Sequence, residues 1–239
     1  MKILAFDGTA KAASVALTED ERTLGCYTID NGLTQSELLL PMAENLLKSL
    51  KLSFEDVELY ATAVGPGSFT GVRIGVSLIK GLAFGRNIPC AEVSTLEALA
   101  ENLFPLNALI VPCMDARRGQ VYTATFRGDG ESITRLTDDR AIAIADLAEE
   151  LRSYSGDIYI TGDGYGVAVA ALEKEGIKLC RTPENLICQN AASVARVAYR
   201  SYKAGNFVSD SELSPKYLRM PQAERERLER ERAEKENKV

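Results

Sequence analysis

The alternation of apolar and polar positions along the chain spells one pattern twice. Lys2 to Phe6 is a short apolar run ending in Asp7-Gly8-Thr9, and strand-like runs follow at Ala13 to Leu17 and Leu24 to Ile29. Thr34 to Leu50 has helical spacing, with Thr34 or Ser36 available as a cap and Pro41 expected to weaken or kink it. Tyr60 to Gly65 again predicts a buried strand. Gly65-Pro66-Gly67 ends it, and Ser68 is placed to cap a helix running to about Gly85. Asn87 to Val93 predicts another strand, and Ser94-Thr95-Leu96-Glu97 opens a helix that ends near Phe104-Pro105. The order so far is βββαβαβα. Then it restarts: strands at Ala108 to Met114 (followed by Asp115), Gln120 to Arg127 and Ser132 to Leu136, a helix from about Ala145 to Arg152, and a strand at Asp157 to Gly162. Helices at about Val167 to Lys174 and Asn190 to Lys203 complete the second round.

A repeated strand-meander-then-helix unit implies an α/β protein of two similar lobes facing across a cleft. The N-terminal lobe is expected over 1–105, the C-terminal lobe over 106–217, and a charged tail over 218–239. That architecture is the actin, hexokinase and Hsp70 (ASKHA) nucleotide-binding fold, in which the two aspartate-bearing turns meet ATP. The tail follows from composition: residues 222–239 hold six acids, six bases and a single leucine, so they present no face to bury.

Two helices carry more apolar surface than one core requires. Leu38, Leu39, Leu40, Met42, Ala43, Leu46, Leu47 and Leu50 span an arc of roughly 200° at about 100° per residue, where packing on one core needs little over 100°. In the following helix only Arg73 and Lys80 are charged, while Gly67, Gly71 and Gly75 recur every four residues. Each interior glycine costs about 0.5–1 kcal/mol relative to alanine, so a compensating gain is expected. Either the glycines let another element approach closely, or the turn presents N–H groups to a phosphate. The apolar excess suggests that both helices pack on their own sheet and also on another protein; alternatively, they cover each other within one domain.

Net charge narrows the function. At -6, with a pI near 5.0, the chain is a poor candidate for binding nucleic acid alone, because that affinity comes from phosphate neutralisation. Histidine is absent, which removes histidine zinc sites, Ser-His-Asp and Cys-His arrangements and the usual near-neutral base. Cys26, Cys90, Cys113, Cys180 and Cys188 form no C-x-x-C motif and read as core residues in a reducing compartment. The N-terminus enters a strand directly and no run of about 20 apolar residues occurs, so a cytoplasmic protein without membrane attachment is expected. The remaining candidate chemistry is Asp7 and Thr9 in the first turn, Asp115 in its counterpart, and the Gly65 to Gly67 turn. These residues could hold a nucleotide phosphate or Mg²⁺ in an ATP-dependent phosphotransferase or ATPase, although Asp, Gly and Thr are also what any turn prefers.

The glycine motif G-P-G-S-F-T-G-V-R-I-G at Gly65 to Gly75 resembles the TsaB (YeaZ) family. So do I-L-A-F-D at the start, S-E-L-L-L-P at Ser36 to Pro41, M-D-A-R-R-G-Q-V-Y at Met114 to Tyr122, and L-S-P-K-Y-L-R with Q-A-E-R at Leu213 to Arg225. The resemblance implies a non-catalytic subunit in tRNA threonylcarbamoyladenosine biosynthesis, with no cofactor and no metal of its own. Its implied partners are TsaD, bound through the first two helices, and TsaE through the complex; tRNA is contacted only indirectly, and a homodimer is expected when TsaD is absent. On that footing Leu39, Ala43, Leu46, Gly67, Gly71, Gly75, Leu78 and Ile79 are the expected partner contacts, and Gly75→Leu should break partner binding without unfolding the lobe. Two positions depart from the family pattern: Gly8 stands where relatives commonly have threonine, and Gln35 where they commonly have histidine. The catalytic TsaD branch carries a metal-binding histidine pair on the equivalent first helix, which a chain lacking histidine cannot reproduce.

Overall fold

The computed structural model describes residues 1–219. The tail expected over 218–239 therefore lies, from residue 220 on, outside the described residues.

The first sheet has five strands in the order β3-β2-β1-β4-β5: β1 Lys2–Asp7, β2 Ala13–Glu19, β3 Arg22–Ile29, β4 Leu59–Ala63 and β5 Cys90–Val93. β1 to β3 form an antiparallel meander, and β4 and β5 add in parallel through helical crossovers. β4 reads L-Y-A-T-A and is buried at every position, because helices cover both faces of the sheet. On one face Leu4, Phe6, Val15, Leu17 and Tyr60 pack against α1 (Gln35–Ser49) and α2 (Phe69–Ala83).

The second sheet repeats this plan with β6 Leu109–Asp115 at its centre. β11 (Ile158–Thr161) lies parallel on one side of β6, as β4 does on β1. The run expected as one strand from Gln120 to Arg127 is β7 (Gln120–Thr123) and β8 (Phe126–Gly128), both antiparallel to β6. It breaks at Thr125, whose backbone N–H donates to the Thr137 hydroxyl at 2.9 Å while its carbonyl accepts from Leu136. β9 (Ile133–Arg135) pairs with β8, and β10 (Arg140–Ala143), a strand the sequence pattern does not reveal, pairs with β7. α4 (Ile144–Arg152) and α5 (Tyr165–Lys174) cover one face of this sheet. Each sheet thus sets an antiparallel meander on one side of a central strand and a parallel strand on the other, although among the described residues the second sheet has no counterpart of β5 and its meander is split. The chain is an α/β protein of two similar lobes, as expected.

The helices on the remaining faces are exchanged between the chain halves. α6 (Ala191–Lys203), from the second half, packs on the first sheet, where Ala191, Ala192, Ala195 and Ala198 meet Ala5, Ala16, Ala61, Ala63 and Ala91. Small residues on both sides let the helix axis lie close to the strands. α3 (Thr95–Glu101), from the first half, sets Leu96, Leu99 and Ala100 against Ile110, Met114 and Phe126 of the second sheet. Segments 1–105 and 106–217 thus do not coincide with the packed units, because burial of the second face of each sheet overrides chain order.

α1 continues through Pro41, which is exposed and has no N–H to donate to the carbonyl one turn earlier. One local expectation is corrected. Of the five cysteines only Cys90 and Cys113 are buried; Cys26 and Cys188 are exposed and Cys180 is half-buried. No helix among the described residues is long and apolar enough to cross a membrane.

Candidate functional site

The C-terminal ends of β1 and β6 bring the two aspartate-bearing turns to opposite sides of a cavity of about 810 Å³, lined by Thr9, Lys11, Ser68, Asp115, Tyr122 and Asp163 among others. Thr9, Gly67 and Asp115 all reach this cavity. Asp7 is fully buried at the end of β1. Its Oδ1 accepts from the Thr9 backbone N–H at 2.9 Å and from the Thr9 hydroxyl at 2.6 Å, while Oδ2 has no partner among the described residues. Burial pushes the carboxyl from 3.8 up to about 6; the two bonds from Thr9 oppose the rise and the charge of Asp163 adds to it. Asp163 is itself raised, chiefly by burial, and accepts from the Asp115 backbone N–H at 3.3 Å. Asp115 instead accepts from the Arg117 backbone N–H at 2.8 Å and its guanidinium at 3.0 Å.

The charge balance of the cavity is unfavourable to a bare phosphate chain. Asp30, Asp115 and Asp163 face it against Lys11 and Arg117, and Arg117 is already paired with Asp115. Nor does the glycine turn offer an open cradle. The Ser68 N–H donates to the Thr9 carbonyl at 2.7 Å, and a Cβ at Gly67 would lie 2.5 Å from that oxygen. Gly65, at a φ of 117°, admits the Lys216 carbonyl, which a Cβ would meet at 2.5 Å. A Cβ at Gly71 would overlap the Gly8 carbonyl, and one at Gly75 would come within 2.9 Å of the Thr62 hydroxyl. Of the two uses open to the glycines, close packing is realised, and it is packing of the chain on itself.

The two departures from the family pattern touch each other. A Cβ at Gly8 would stand 3.0 Å from the Gln35 Cγ, and the Gln35 amide donates to the Ala10 carbonyl at 2.6 Å, fastening the start of α1 over the first turn. Thr34 caps the helix there, its backbone N–H donating to Glu37 at 2.9 Å.

On the outer face of α1 and α2 the sequence-derived contacts divide. Leu39, Ala43, Leu46, Gly71, Gly75 and Ile79 are buried in the lobe's own core, Gly67 and Leu78 are half-buried, and most of the wide apolar arc of α1 is absorbed by α2, β2 and β3. A leucine at Gly75 would therefore strain the lobe itself. Apolar surface still reaches solvent through a neighbouring stripe, Ile74, Leu78 and Leu82 on α2 with Leu40 on α1, and Phe84 at the end of α2 is 79% exposed. The helical period carries that stripe, since positions 74, 78 and 82 lie above one another, but sequence alone does not say which side the sheet takes.

A family model described as TsaD, tRNA N6-adenosine threonylcarbamoyltransferase, matches residues 34–209. The chain is 31% identical over 231 residues to the Bacillus subtilis (strain 168) protein named tRNA threonylcarbamoyladenosine biosynthesis protein TsaB, covering 96% of this chain and 99% of that one. To the protein of the same name from Escherichia coli (strain K12) it is 32% identical over 222 residues, covering 92% and 95%. Among solved structures, a Pseudomonas aeruginosa protein described as uncharacterized with similarity to peptidase YeaZ aligns with a TM-score of 0.78 at 26% identity, covering 91% of this chain and 99% of that one.

Proposed function

The chain belongs to the TsaB (YeaZ) family, and from that membership we propose that it acts in tRNA threonylcarbamoyladenosine biosynthesis as a non-catalytic subunit that binds and activates TsaD. The observation that carries the reading is the end-to-end likeness to the curated TsaB relatives. Two features of the chain support it. The cavity between the lobes has no histidine, and Asp30, Asp115 and Asp163 outnumber Lys11 and Arg117 along it, which opposes a polyphosphate without a bound cation. The stripe of Ile74, Leu78 and Leu82 leaves apolar surface open on the helix pair through which the family resemblance places TsaD. TsaE joins through the complex, tRNA is held chiefly by the partners, and without TsaD the same helices pair two copies of the chain about a two-fold axis.

The test is reconstitution. A tRNA that decodes ANN codons is incubated with TsaD, TsaE and the threonylcarbamoyl-adenylate donor, with and without this chain, and the modified nucleoside is measured by mass spectrometry after digestion. Modification is expected only when the chain and TsaD are both present. Modification by the chain alone, or undiminished modification in its absence, overturns the proposal. The second reading, an ATP-dependent phosphotransferase or ATPase, draws on the meeting of Thr9, Gly67 and Asp115 around one cavity. It ranks lower because Asp7 is fully buried and the Ser68 N–H at the start of α2 is already bonded to Thr9.

A further inference from the structure

The motif L-S-P-K-Y-L-R at Leu213 to Arg219 does not contribute to the cavity lining, yet it is bonded to both lobes. Leu213 is fully buried in the core shared by α1, α2 and the first sheet. The Ser214 N–H donates to Glu92 at 2.9 Å, and the Lys216 N–H donates to the Val64 carbonyl, just past the end of β4, at 2.8 Å. The Tyr217 ring stacks 4.8 Å from Phe69 at the first turn of α2, and its hydroxyl accepts from Arg73 at 2.7 Å. Two residues later the segment has crossed to the second lobe. Arg219 donates to the Ala116 carbonyl at 3.2 Å and to the Gln120 side chain, with its guanidinium 5.4 Å from the centre of the Tyr122 ring. Phe69, Ala116 and Tyr122, the residues gripped at the two ends, line opposite sides of the cavity mouth.

We propose that residues 213–219 are an interlobe latch, fixing the angle between the lobes by tying the first turn of α2 to the β6–β7 turn across the mouth of the cleft. A two-lobed protein that closes on a ligand must change that angle. Here a change would have to break the Arg219 contacts or pull Tyr217 off Phe69. The close approach of the Lys216 carbonyl to Gly65 belongs to the latch, which makes the α2 turn and the β6–β7 turn respond to each other.

Hydrogen–deuterium exchange of the full chain tests this. Arg219→Ala should speed amide exchange about fivefold in residues 68–73, which lie in the lobe opposite its hydrogen-bond partners Ala116 and Gln120, the change that loss of ~1 kcal/mol of protection produces. Tyr217→Ala should do the same in residues 116–120, in the lobe opposite its partners Phe69 and Arg73. Lys216→Ala, which removes only the ion pair with Glu92 in the first lobe, should leave 116–120 unchanged. Acceleration confined to the lobe that lost its contact, a cross-lobe effect of equal size from Lys216→Ala, or acceleration spread evenly over β1 and β4 overturns the latch.

Discussion

Asp7 shows what a single residue contributes and how far its role can be read from sequence. Its position at the end of an apolar run marks a turn, but not that the carboxyl is buried with one oxygen unpartnered. A carboxyl raised from 3.8 to about 6 holds its proton more tightly folded than unfolded between those values, so its ionisation destabilises the native state by up to ~3 kcal/mol above pH 6. That penalty fades as pH falls toward 4. Asp7→Asn keeps the acceptor for Thr9 and removes the charge, at the expense of an unpartnered amide N–H. It should raise unfolding free energy by ~1–2 kcal/mol at pH 7.5 and by almost nothing at pH 4, measured by urea denaturation at both values. An equal gain at both pH values would show that desolvation of the charge is not the cause. Gly8 and Gln35 carry the complementary lesson: far apart in sequence, they read as separate departures and prove to be neighbours.

Among the elements, α1 and α2 were the most legible, because long periodic stripes with Thr34 and Ser68 at their starts define both helices and their caps. The destination of their apolar surface was less so. An arc width says that two neighbours exist, whereas only the structure shows that one of them is mostly the other helix. Leu78 is the position at which the surface interpretation can be separated from the core one. Leu78→Glu should reduce TsaD binding at least tenfold in a pull-down or calorimetric titration while the melting temperature changes by a few degrees. Ile79→Glu, at a fully buried site, should fail to fold instead. Undiminished TsaD binding by folded Leu78→Glu would remove the α2 stripe from the interface. β10 escaped the sequence because Arg140–Ala143 is a short, half-buried edge whose Ile144 already belongs to the next helix.

For the whole molecule the duplication was legible and the exchange of helices was not, since nothing in an alanine-rich helical pattern says which sheet it will cover. Where the exchanged helices meet, Glu101 of α3, only 3% exposed, is held by Arg196 at 3.1 Å and Arg200 at 2.6 Å of α6. Because α3 lies on one sheet and α6 on the other, this pair of bridges joins the lobes. Glu101→Ala leaves two partly exposed guanidiniums that can turn to water, so the cost should be about 1–3 kcal/mol, seen as one urea transition at a lower midpoint. Two separated transitions would show that the lobes unfold independently. The exchange also has a consequence for the ribosome. The alanine face of the first sheet must wait, uncovered, until residues 191–203 have been synthesised, so most of the chain emerges before its first five strands can be sealed. During translation that interval makes the nascent first half a natural client for chaperones.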